Sequence, residues 1–136
     1  CQSRSRTRFE ASSEAALLDT HVFLWWQADD RRLTKQARRA ISDARIVFVS
    51  AATAWEAGIK SALGRLEYPE TIESGVEASG FDKLPITLTH AKHAARLAPH
   101  HHDPFDRMLT VQAQVENPTL VTNDRRIARY DVATLW

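Results

Sequence analysis

Four carboxylates stand where a cation could use them: Asp19, Glu56, Asp106 and Asp124. Asp19 closes the apolar run Ala16-Leu17-Leu18, and Asp124 comes directly after Thr119-Leu120-Val121-Thr122-Asn123. Glu56 falls in the opening turns of the helical stretch that follows Ile46-Val47-Phe48-Val49-Ser50, and Asp106 in the first turn of a helix opening at Asp103. If the apolar runs are parallel strands, the four acids project at one edge of the sheet, where open α/β sheets bind ligands. Like charges gathered there repel, and some stay protonated unless a cation neutralises them. An oxygen-only cluster suits Mg²⁺ or Mn²⁺ better than zinc, which prefers imidazole and thiolate. One or two such ions would polarise a phosphate, lower the pKa of a bound water and set it in line with the leaving oxygen.

Each acid taken singly also has a purely structural reading. Asp19 could cap a short helix at 21–26, and Asp124 the last helix. Glu56 precedes Lys60 by four residues, the favourable order for a surface ion pair. Asp103-Pro104-Phe105-Asp106 fits a capping box, with Asp103 at the N-cap, Pro104 at N1 and Asp106 at N3. What favours a site is the recurrence of acids at successive strand ends. Thr20, Thr122 and Asn123 flank two of them and could hold a carboxylate, or a water bound to the ion, by hydrogen bonds. His100-His101-His102 lacks a second ligand cluster at zinc spacing, so a solvated loop is expected, with an RNA-phosphate contact as the alternative. Trp25, Trp26 and Trp55 could stack bases, but Trp26 and Trp55 are expected in the core.

These residues must be positioned by alternating strands and helices. The apolar runs at 16–18, 46–50 and 119–122 read as buried strands, Leu84-Pro85-Ile86-Thr87 as a short edge or strand end, and 132–136 as a final edge strand. Helices are expected at 21–26, broken by Asp29-Asp30; after Thr34, with Ala37, Ala40, Ile41 and Ala44 as the apolar stripe; at 52–63, where Trp55, Ile59 and Leu63 share helical spacing; and at 69–79, with Pro69 in the first turn. Thr89 is expected to cap a further helix, Asp103 to open one running to about Val115, and Arg125 to Arg129 to form a short last one. Helical crossovers make the sheet parallel or mostly so, in a three-layer α/β/α domain.

Composition sets the bounds. The 136 residues suffice for one domain with a substantial core, and 43% apolar with 26% charged residues is ordinary for a globular protein. The net charge of +1 excludes a nucleic-acid argument from bulk charge. Locally, Arg31, Arg32, Lys35, Arg38, Arg39 and Arg45 oppose a single Asp43, whereas Glu67, Glu70, Glu73, Glu77 and Asp82 stand without a cation among them; solvated helix faces account for both. Cys1 is the only cysteine, so no intramolecular disulfide or thiolate site can form within the chain, which fits a reducing compartment such as the cytoplasm. No apolar run approaches the roughly 18 residues of a membrane span. Residues 1–16 carry Arg4, Arg6 and Arg8 without an apolar stretch and are expected to be a poorly structured N-terminal extension, not a secretory signal.

Several of these segments together resemble a known family. Leu17-Leu18-Asp19-Thr20-His21, Ser50-Ala51-Ala52-Thr53-Ala54-Trp55-Glu56 with Lys60 and Leu63-Gly64-Arg65-Leu66, His102-Asp103-Pro104-Phe105-Asp106-Arg107-Met108-Leu109, and Val121-Thr122-Asn123-Asp124 are similar to the PIN-domain proteins, above all the VapC-type toxins of bacterial type II toxin–antitoxin pairs. The likeness runs in order over residues 17–136. It implies a Mg²⁺- or Mn²⁺-dependent endoribonuclease with Asp19, Glu56, Asp106 and Asp124 as catalytic metal ligands and Asp103 at the pocket rim. It also implies an RNA substrate, a homodimer, and an antitoxin that wraps the toxin and reaches toward the metal site. A catalytically silent PIN-fold module that binds RNA or protein is the alternative, disfavoured because all four acids are present. A phosphatase of the haloacid-dehalogenase type would want an acid at position 21, which is His, and a receiver domain would want a lysine after Val121-Thr122, where Arg125 stands.

Overall fold

A computed structural model describes residues 15–68 and 71–136. Residues 1–14 of the expected extension, and Pro69, expected to open a helix, lie outside the described residues. The first strand, β1 (Ala15–Leu18), begins one residue before the apolar run read from sequence, so the expected extension overlaps it at Ala15 and Ala16, and Ala16 is buried in the core.

Four further strands follow: β2 (Ile46–Ser50), β3 (Asp82–Leu84), β4 (Thr119–Val121) and β5 (Thr134–Leu135). They form one sheet in the order β3-β2-β1-β4-β5, every neighbouring pair parallel. Register is set at the centre, where Leu17 lies opposite Phe48 on one side and Leu120 on the other. The chain winds outward from β1 through β2 to β3, then crosses back to start β4 on β1's other flank. The sheet's order therefore reverses between β1 and β4, which opens a crevice at their carboxyl ends. Asp19 and Asp124 follow those two ends.

Successive side chains of β1 point to opposite faces, as a strand requires. Ala16 and Leu18 join Val47, Val49 and Val121 under α1 (Thr20–Ala28), α2 (Lys35–Asp43) and α4 (Ile72–Ala78), which contribute Val22, Phe23, Ala37, Ile41 and Val76. Leu17 joins Leu120 on the other face, covered by Leu109 and Ala113 of α6 (Pro104–Glu116) and by Ile127 of a 3₁₀ turn. Truncating Leu17, Leu18 or Leu120, all fully buried, would cost about 2–5 kcal/mol each.

Local chemistry sets the helix starts. Thr34, Ser50 and Thr71 each accept a backbone N–H in the first turn, fixing α2, α3 (Ala51–Ala62) and α4. The third strand ends at Leu84, three residues before the expected end at Thr87, because Pro85 has no N–H for a ladder. Thr87, not Thr89, then caps α5 (Leu88–Arg96). Its hydroxyl takes the His90 N–H, and His90 Nδ1 takes the Thr87 N–H, a capping box closed by histidine in place of Glu or Gln.

Trp26 packs against the core beside Phe81, as expected. Trp55 does not. It is 61% exposed, because α3 turns its small residues Ala52, Thr53 and Ala57, together with Glu56, inward. Trp55, Ile59 and Leu63 thus form an outward stripe. The charged segments are solvated and locally paired: Arg32 with Asp30, Arg38 with Asp29, and Lys83 with both Glu73 and Glu77. Among the described residues no helix is long and apolar enough to cross a membrane.

Candidate functional site

Asp19 leaves β1 and caps α1, accepting the His21 N–H at 3.0 Å. Its own N–H donates to Val121 O at 3.1 Å, which ties the acid's backbone to the end of β4. Its second oxygen accepts the Thr122 hydroxyl at 2.6 Å. The side chain is buried, and burial pushes its carboxyl above the usual range. The Thr122 and His21 bonds pull it down, while the charge of Glu56 pushes it up.

Glu56 lies on the inner face of α3 and is only 6% exposed. The ion pair with Lys60 forms at 2.9 Å, but it lies at the pocket wall and not on an open surface. Lys60 takes one carboxylate oxygen. The other, Oε1, is buried with no hydrogen-bond partner. An anionic oxygen left so is costly, and a cation is one of the few groups that would satisfy it.

The capping box at α6 forms as expected in part. Asp103 Oδ1 accepts the N–H groups of Phe105 and Asp106, at 2.9 and 3.1 Å. The Asp106 side chain is thereby freed from capping and lies among the other acids. Its carboxyl is pushed up to about 8 by burial first, then by the charges of Asp19, Asp103, Glu56 and Asp124. Asp106 is thus the point at which the fields of all the other sequence-selected acids meet. Asp124 accepts the Arg126 N–H at 2.8 Å, the turn expected of a helix-opening aspartate, and also a bond from His101 Nε2 at 2.9 Å. Burial raises its carboxyl, but the bonds from His101 Nε2 and the Arg126 amide, with the Arg126 charge, outweigh burial and hold it below the usual range.

Of the flanking polar residues, Thr122 bonds Asp19. Thr20 Oγ1 instead pairs with Thr53 Oγ1 at 3.1 Å, and Asn123 is exposed.

His101 corrects the sequence reading. The histidine run is not a uniformly solvated loop: His102 is exposed, His100 packs at a tilt against Tyr130, and His101 is 2% exposed with Nε2 3.1 Å from Asp106 and 2.9 Å from Asp124. Repetition of one residue type hid a burial difference that only the loop's path decides. Arg107 was also passed over. Its guanidinium donates to the carbonyls of Ala94, Leu97, Ala98 and His101, binding the end of α5 and the following loop to α6. A signal was there to read: a cation in a helix's first turn opposes the macrodipole and needs a dedicated partner.

The donor set suits a hard divalent cation. It offers carboxylate oxygens, one of them orphaned, around a carboxyl whose proton is held by burial first and then by its neighbours' charge. One atom from each of His101, Asp106 and Asp124 lies within 4.8 Å of the others.

Known proteins resemble the chain over most of its length. The sequence model of the PIN domain family matches residues 16–133. Ribonuclease VapC22 of Mycobacterium tuberculosis is 29% identical over 114 residues, a span of 82% of this chain and 88% of that protein. VapBC2 from Rickettsia felis, solved bound to a DNA fragment from their promoter, shares the fold with a TM-score of 0.65 at 13% identity, over 89% of this chain and 97% of that one. A toxin–antitoxin complex from Klebsiella pneumoniae does so with a TM-score of 0.63 at 17% identity, over 89% and 96%.

Proposed function

Because the chain belongs to the PIN-domain family, we propose that it is a divalent-metal-dependent endoribonuclease and the toxin of a toxin–antitoxin pair. The observation that carries the reading is the environment of Asp106, a partly buried carboxyl on which the charges of Asp19, Glu56, Asp103 and Asp124 act together. A PIN fold that only bound partners would have no use for so costly an assembly.

Asp19, Glu56, Asp106 and Asp124 would hold Mg²⁺ or Mn²⁺, with Asp103 at the rim. When bound, the cation supplies Lewis-acid stabilisation of charge developing on the phosphodiester and activation of a water as the nucleophile. The protein's residues do the arranging. Thr122 orients Asp19, and Lys60 holds one oxygen of Glu56 at 2.9 Å while presenting positive charge to the incoming backbone. Asp106 gives up its proton as the site fills.

Three further assignments go with this. A groove of about 740 Å³ is lined by His21, Trp25, Lys60, Arg65 and Leu66, among them the residue two positions after Asp19 and the ion-pair partner of Glu56, and we assign an antitoxin segment to it. The solved relatives that are toxin–antitoxin assemblies support that partner. The outward stripe of Trp55, Ile59 and Leu63 is the face we assign to a homodimer. The lone cysteine supports a cytoplasmic location.

The test is cleavage of a defined RNA by the purified chain after EDTA treatment, with and without added Mg²⁺ or Mn²⁺, beside the Asp19→Asn variant. Metal-restored cleavage that Asp19→Asn abolishes, with unchanged circular dichroism, is expected. Cleavage that persists in EDTA, or equal activity of the variant, would reject the reading.

A further inference from the structure

His101 presents two nitrogens to two different kinds of group. Nδ1 faces the backbone N–H of Asp103, which donates to it at 3.1 Å. A ring nitrogen that accepts carries no proton, and in a neutral imidazole the proton then resides on the other nitrogen. Nε2 is accordingly the N–H, and it points at Asp124 Oδ2, 2.9 Å away, with Asp106 Oδ2 at 3.1 Å from the same atom. Both ends are satisfied by this one tautomer. A proton moved to Nδ1 would set two donors against each other at the Asp103 amide and leave the Asp124 carboxylate facing a bare lone pair.

The ring is also held from behind. The His101 N–H donates to the Tyr130 hydroxyl at 2.9 Å, and that hydroxyl donates to Ala98 O at 2.5 Å. Arg107 takes the carbonyls of His101 and Ala98, so the loop bearing the imidazole is anchored from both α6 and the turn after β4. A histidine buried this completely and tied at every polar atom is not a movable side chain awaiting a ligand.

We propose that His101 is a positioning residue of the candidate metal centre: as the Nε2–H tautomer it donates to Asp124, fixes Asp124 against Asp106, and does not itself ligate the cation. The inference rests on the metal-dependent reading given above. It divides the group His101, Asp106 and Asp124, whose atoms lie within 4.8 Å of one another, into two ligands and one donor. A nitrogen already bearing hydrogen has no lone pair for a metal, so the site stays an oxygen site and favours Mg²⁺ or Mn²⁺ over zinc.

Two measurements on the full chain test this. The first is long-range ¹H–¹⁵N NMR of the His101 imidazole, identified by its absence in His101→Gln, in metal-free protein and in protein with Mg²⁺. A protonated Nε2 and bare Nδ1 in both samples are expected; a bare Nε2 in either overturns the proposal. The second is Mn²⁺ affinity, read by electron paramagnetic resonance. His101→Gln keeps an N–H donor of similar reach and should bind like wild type, whereas His101→Leu should weaken binding on the order of 10- to 100-fold. Equal affinities of the Gln and Leu variants, whether both intact or both weak, overturn the proposal, as does wild-type affinity in His101→Glu, which would mark a ligand position. If the wild-type chain binds no Mn²⁺ at all, the metal-dependent reading fails, and the metal-free NMR spectrum still decides the donor role.

Discussion

The Thr122 hydroxyl donates to Asp19 Oδ2, 103 positions away in sequence, at 2.6 Å and accepts the Asp124 N–H at 3.1 Å, so one oxygen joins the acids at the ends of β1 and β4. It fixes the Asp19 carboxylate and favours its ionised form against the burial that opposes it.

Replacing this hydroxyl by a methyl should therefore act through Asp19. In Thr122→Val the Asp19 carboxyl rises further, and Mn²⁺ affinity falls on the order of 10- to 100-fold. Thr122→Ser should retain the affinity. Calorimetric titration of the two variants checks this, and equal binding by both would remove the role given to the hydroxyl.

Asp106 sets the pH dependence of metal binding. With its carboxyl pushed up to about 8, the metal-free protein holds a proton there that an entering cation must displace. Apparent Mn²⁺ affinity should rise by about tenfold per pH unit through the neutral range and level off once pH exceeds the raised value. The check is a series of titrations across that range. Asp106→Asn should flatten the slope as well as weaken binding.

The same carboxyl should make the metal-free fold less stable as pH rises. The folded-state value of about 8 lies above the ordinary 3.8, so between the two the unfolded chain is ionised while the native one keeps its proton. Unfolding then releases a proton, and stability falls with rising pH across that window, with the loss complete above it. Asp106→Asn should raise the metal-free melting temperature at neutral pH, and added Mn²⁺ should raise that of wild type. Thermal scans with and without the ion read both effects, and a lower melting temperature in metal-free Asp106→Asn would contradict the first.

Trp55 meets Phe105 edge to face at 5.0 Å but is otherwise largely in solvent. If its stripe joins two copies, Trp55→Glu should shift the chain to a monomer by analytical ultracentrifugation. Stability of the protomer should change by only about 0.5 kcal/mol, as is usual for exposed positions. A dimer that survives the substitution would move the interface elsewhere.

Much of this was legible in the sequence, for reasons that can be named. Leu17-Leu18, Ile46 to Ser50 and Thr119 to Val121 are short apolar runs, the last two rich in β-branched residues, and all three lie in strands, only Ile46 being exposed. Once they were parallel, Asp19 and Asp124 had to share an edge. Thr34 and Asp103 announced their helices because capping is a local reaction between a side chain and the next turn. Misreadings fell where tertiary packing decides. Trp55, Ile59 and Leu63 have core periodicity, yet α3 buries its small side chains and Glu56 instead. His101 differs from His102 only in which way the loop turns, and that is set by Arg107 and Tyr130 from other parts of the chain. Thr87 took over the cap expected of Thr89 because His90 could reach back to close it.

The position of β1 in the sheet has a consequence for synthesis. The central strand is translated before either of its neighbours, and the second of these, β4, follows about a hundred residues later. Until then one edge of β1 stays open, and Asp19 lacks both Thr122 and Asp124. A nascent chain therefore cannot assemble the acidic crevice before β4 has been made, and under the reading proposed here the cell meets the nuclease only once β4 has slid into place.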